Sequence, residues 1–241
     1  MNLSHRSRDT GRRHVAQRPM RGFQPNVAHD SRPVAAFRQR GWHSELKCED
    51  FSAPETWHPS KDRPRARYIV QPPGAGFRHA VTPDEVRDRL AALPKHLSPP
   101  LDVVQFSTMT RKRQYFPCYG MQWGSAVYLY PIEESLVEVY RRPPTPQQQI
   151  EARMYGGEWS HDGRQWRLTW TEDAIKDFYL NNVLIHEIGH LCDTRNTSSR
   201  DREKFANWFA IEYGYRPTRI ERTARFTQVE PTIGPIAQST V

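Results

Sequence analysis

The sequence predicts an α+β fold: a small domain with a few-stranded sheet, then two helices. Three observations predict it. A well-capped helix opens the ordered region, short β-rich runs fill Val103 to Trp170, and two long helical patterns follow. In order, ordered sequence begins near Arg67-Tyr68-Ile69-Val70, and Pro72-Pro73-Gly74 turns the chain. Thr82 is placed as an N-cap, Pro83 at N1 and Glu85 at N3, the signature of a capping box; Val86, Leu90 and Leu93 supply its apolar stripe, and Pro94 ends it. Val103, Val104, Phe106 and Met109 suggest a strand. Residues Ala126–Tyr130 and Leu136–Tyr140 suggest two more, joined by a turn at Pro131-Ile132-Glu133-Glu134 as a hairpin. Pro143, Pro144 and Pro146 mark a loop, and Trp166, Leu168 and Trp170 alternate as a half-buried strand does. The first closing helix is expected from Glu172 to Asp193 with Thr171 as its cap. The second is expected from Arg200 to Tyr213 with Gly214 just past its end.

The chain of 241 residues is long enough for one domain with tails. An apolar content of 37%, twenty prolines and a mean hydropathy of -0.83 indicate that part of it stays outside any core. The charge is uneven. Nine arginines and two aspartates between Met1 and Arg40 give +7 of the total +8, leaving +1 for the rest. The expected organisation is a basic flexible arm over residues 1–65, a folded domain over 66–216 and a flexible tail over 217–241. Residues 1–40 offer a surface to nucleic acid or an acidic partner; a solvated tail is the plainer reading. Three widely spaced cysteines, Cys48, Cys118 and Cys192, suggest neither a disulfide framework nor a metal knuckle. No apolar leader follows the N-terminus and no run is long enough to span a membrane, so a cytoplasmic location is the expectation. The Arg-rich start also fits a transit peptide.

The chemistry lies in His186-Glu187-Ile188-Gly189-His190. Histidines four apart on a helix share one face, and both imidazoles reach a single zinc ion at about 2.0–2.1 Å. Glu187, next around the helix, is placed to take a proton from a water that zinc has acidified. The helix is otherwise apolar through Phe178, Leu180, Val183, Leu184, Ile185, Ile188 and Leu191, so it is a core helix. Polar groups on such a helix need partners; two hydrogen-bonded core histidines are the competing reading. Gly189 is unfavourable inside a helix by roughly 1 kcal/mol against Ala, which points to a close approach of another backbone there.

This segment resembles the active-site helix of gluzincin-type zinc metallopeptidases. The stretch Glu203-Lys204-Phe205-Ala206-Asn207-Trp208-Phe209-Ala210 most resembles that of the ImmA/IrrE-type peptidases. The resemblance spans His186 to Tyr213 and implies a zincin-like domain. It also implies Glu203 as third zinc ligand, Asn207 as a neighbour supporting the ligands, Glu187 as general base and a peptide or protein as substrate. Spacing agrees with Glu203. Asp193 lies seven residues past His186, a rise of about 10.5 Å, and Asp201 and Glu212 sit roughly 160–180° around the helix from Glu203. The metzincin pattern fits poorly, since Asp193 and Asn196 stand where it needs glycine and histidine. No helix-turn-helix accompanies the motif, so a role in repressor cleavage is not carried over. Tyr213, Tyr215 and His161 are candidates by type for stabilising an oxyanion, though packing roles suit each better. Cys192 reads as an inert buried thiol. The expected function is therefore a zinc metallopeptidase. The alternative is a zincin-like regulatory or binding protein whose arginine-rich arm engages nucleic acid or an acidic partner.

Overall fold

The computed structural model describes residues 53–61, 65–97, 99–115 and 118–220. The stretch Met1–Arg40, to which a nucleic-acid or acidic partner was assigned, lies outside them, as do Cys48 and residues 221–241. The architecture is α+β. No described helix is long and apolar enough to cross a membrane.

Strands β1 (Arg67–Val70), β3 (Val103–Phe106), β5 (Ala126–Leu129) and β4 (Gly120–Trp123) lie side by side in that order. β1, β3 and β5 are mutually parallel and β4 is antiparallel to β5. Every residue of β3 and β5 is buried, because both faces of the sheet are covered. Val104, Phe106, Val127 and Leu129 point into the main core with the helices, while Val103, Ala126, Tyr128 and Tyr130 form a second cluster on the opposite face. The expected hairpin does not form. The chain leaves β5 through Pro131 into β6 (Ile132–Glu133), which pairs with β2 (Phe77–Arg78), and a left-handed Leu136 (φ 57°) redirects it. β7 (Val137–Tyr140) then joins β9 (Trp166–Thr169) and β8 (Glu158–His161) in a separate antiparallel sheet. A strand buried on both faces finds its neighbours across the sheet, so adjacency in sequence does not decide its pairing.

Helix α1 (Pro83–Ala91) has the capping box expected: the Thr82 side chain accepts from the Glu85 amide, and the Glu85 carboxylate from the Thr82 amide. A short helix α2 (Arg111–Tyr115) follows β3. The proline-rich stretch expected as a loop instead starts α3 (Pro146–Met154), with Thr145, Pro146 and Gln148 repeating the same box. Proline at the first helical position removes only an amide that would be unpaired anyway, so Thr145-Pro146 announces a helix as Thr82-Pro83 does.

The first closing helix is capped by Thr171 and runs as α4 (Glu172–Phe178), a π turn (Tyr179–Val183) and α5 (Leu184–Cys192). The second, capped by Ser198, is α6 (Ser199–Ala210), continued by a π turn (Ile211–Tyr215) and helical residues 216–220. Gly214 is thus inside the helix, not past its end. A Cβ there would lie 1.9 Å from the Asn181 carbonyl oxygen, so only glycine lets the two π turns meet. The tail boundary at 217 shifts accordingly. Arg219 pairs with Asp177 at 2.7 Å and donates to the Met154 carbonyl, fixing the helix end to the domain.

The boundary at residue 65 also moves. Residues 53–61 lie along the sheet face opposite the main core, beside α2. Glu55 pairs with the buried Arg113 at 2.9 Å and accepts from Tyr130, and His58 stacks on Tyr128 and bonds Gln105. Asp102 accepts from Ser60 and from the Lys61 amide. This segment carries few large apolar side chains, and it is held by polar contacts that hydrophobic periodicity does not register.

Candidate metal centre

Helix α5 is held by apolar burial: Leu184, Ile185 and Ile188 are fully enclosed in the main core. Its remaining face carries His186 and His190, one turn apart, with rings nearly perpendicular and centroids 4.8 Å apart. Helix α6 lies against α5 at Gly189. A Cβ on Gly189 would stand 3.0 Å from both Ala206 Cα and Phe209 Cβ. The glycine and the alanine therefore let the two helices approach closely enough for Glu203, one residue-triplet before Ala206, to reach both histidines.

The result is convergence. His186 Nε2 and His190 Nε2 are 3.1 Å apart, and the two Glu203 oxygens stand 3.4 Å from one each. These three residues could hold a metal ion. The other acids stand elsewhere. Asp193 accepts from the amides of Arg195 and Asn196 in the turn after α5, Asp201 bonds Ser198 at the start of α6, and Glu212 pairs with Arg216. Asn207 lies one turn beyond Glu203, and its side chain hydrogen-bonds neither Glu203 nor either histidine.

Glu187 is buried beside the group. Gly120 on β4 faces it so closely that a Cβ would come within 3.0 Å of Glu187 Cγ and Oε1. The Gln122 amide, which points away from β5, donates to its carboxylate. Burial raises the Glu187 pKa, although both histidines and that amide oppose it. For His186 burial works against the charged form, yet the carboxylates of Glu203, Glu187 and Glu151 outweigh it and its pKa is raised.

Glu151, on α3, was not singled out in the sequence. Burial pushes its carboxyl up to about 7. Oε1 accepts from Gln147 Nε2 at 3.0 Å, and the buried Oε2 has no hydrogen-bond partner. A glutamate among glutamines on an unrecognised helix gave no signal by type or spacing. The oxyanion candidates take packing positions: Tyr213 against Phe209, Tyr215 against Tyr155 and under Arg219, and His161 against Trp166. Burial raises the pKa of the Cys192 thiol, as an inert role requires.

No family model, no curated protein and no solved structure matches this chain.

Proposed function

We propose that the protein is a zinc-dependent metallopeptidase of the gluzincin type. The observation that carries this is the meeting of His186, His190 and Glu203. Ligand atoms held at 2.0–2.1 Å around a tetrahedral zinc are separated by about 3.3–3.4 Å, and the separations here are 3.1, 3.4 and 3.4 Å. Two imidazoles and one carboxylate are also a donor set that leaves a fourth position open for reaction. Bound there, zinc would polarise a peptide carbonyl and acidify water. Glu187 takes the proton from the attacking water and returns it to the leaving amine; a purely structural metal needs no such carboxylate beside it. The Gln122 amide holds that carboxylate in place. Among the described residues β4 has β5 as its one strand neighbour, so its second edge, next to Glu187, suits an extended peptide bound as a further strand.

The test is elemental analysis of purified protein and of His186→Ala, paired with chelator-sensitive cleavage of casein or of the protein itself. One zinc per chain, lost in the variant, together with cleavage that a chelator abolishes, supports the reading. Stoichiometric zinc in His186→Ala would overturn it.

A further inference from the structure

The structure assigns to Glu151 a role in substrate choice: we propose that its carboxylate receives a positively charged side chain, lysine or arginine, of the peptide held at the metal group. This rests on the peptidase reading above.

The placement comes from two anchors. Near the C-terminal end of α3, the Tyr155 hydroxyl donates to the Asn181 carbonyl at 3.2 Å, in the π turn that leads into α5. Glu151 is four residues before Tyr155, and His186 five residues after Asn181. Glu151 and His186 stand close enough for each charge to act on the other. Glu151 therefore lies on the side of the domain that carries His186. Helix α3 is rigidly set, with its capping box at one end and the Tyr155 contact at the other.

Among the described residues Glu151 has no ion-pair partner within 4 Å. Its single hydrogen bond comes from Gln147, an exposed side chain one turn earlier, and Oε2 is buried without a donor. A carboxylate oxygen removed from water and given no donor is costly, and it persists where something else completes it. An ammonium or guanidinium group that displaces Gln147 would meet Oε1 and neutralise the carboxylate whose other oxygen is buried. A neutral or acidic side chain would leave the buried oxygen unsatisfied or face a like charge.

Amino-acid hydroxamates separate this from the peptidase reading, since the hydroxamate engages the metal and the side chain reports the pocket. Zinc-loaded wild type and Glu151→Gln are titrated with lysine, norleucine and glutamate hydroxamates, with zinc content and circular dichroism measured on both proteins. Wild type is expected to bind lysine hydroxamate about tenfold or more tighter than the norleucine compound, the usual size of a charge-assisted hydrogen bond. In Glu151→Gln that ratio should fall to about one. Norleucine hydroxamate binding with no preference for lysine in wild type, or a preference that survives in Glu151→Gln, overturns the role of Glu151 and leaves the metal reading standing. Absence of binding by all three overturns both.

Discussion

At the scale of single residues, the proposed centre separates the groups that would hold a metal, His186, His190 and Glu203, from Glu187, which would take the proton. Glu187→Gln keeps the size of the side chain and an acceptor for the Gln122 amide, but cannot take a proton. The variant should retain fold and zinc while turnover falls by about 10²–10⁴-fold; wild-type turnover on casein would exclude Glu187 as the base. Ligand identity is tested by zinc affinity of Glu203→Ala beside Asp193→Ala and Asp201→Ala. Only the first removes an atom from the convergent group, and it should weaken binding by more than about 100-fold. The two aspartates accept hydrogen bonds within a local turn and beside the Ser198 cap, so their loss should leave zinc affinity nearly unchanged.

At the scale of elements, the π turns set how the ligand-bearing helices meet. Each inserts a residue into its helix, and the two are pressed together where Gly214 lies on the Asn181 carbonyl. Asn181 is held by Arg89, which also donates to the Tyr213 carbonyl, and by Asp177 beneath Arg219. At Gly189 an added methyl meets Ala206 and Phe209 at 3.0 Å, whereas at Gly214 it meets a backbone oxygen at 1.9 Å. Gly189→Ala gains roughly 1 kcal/mol of helix propensity against an overpacking cost of about 1–3 kcal/mol. It should lower the melting temperature modestly, while Gly214→Ala should lower it much further and weaken zinc binding without touching a ligand. Equal melting temperatures for the two would show that the π turns do not fix the crossing. The segment over residues 53–61 is tested in the same way. Deleting residues 1–62 should lower the melting temperature, since it removes the segment that covers Tyr128 and Tyr130 and pairs Arg113. Glu55→Ala alone should cost roughly 1–3 kcal/mol.

At the scale of the whole molecule, the metal-free protein should show its unpartnered acid in its stability. The Glu151 pKa is raised from an ordinary 4.5 to about 7, so its contribution is fully present below about pH 4.5 and lost as pH rises through 7. Chemical denaturation of metal-free wild type should therefore fall relative to metal-free Glu151→Gln by roughly 2–3 kcal/mol between those limits. Parallel curves would show that the carboxyl is solvated. What the sequence by itself determined is local. The Thr82 and Thr171 caps, the apolar run of α5 and the spacing of His186 and His190 follow from 3.6-residue periodicity and from amides that need acceptors. The Thr145 box is equally local, and its Thr145-Pro146 pair carries the same signal as Thr82-Pro83. Gly189 carried its own signal, since a costly residue inside a core helix marks a close neighbour. The tertiary structure alone decided which strands pair, because β5 is buried on both faces and its apolar run names no partner. Packing alone also decided that residues 53–61 cover the second face of the sheet and that Gly214 lies within a helix. Glu151 beside His186 belongs with these, for a side chain acquires a buried, unpartnered oxygen only when distant segments close around it.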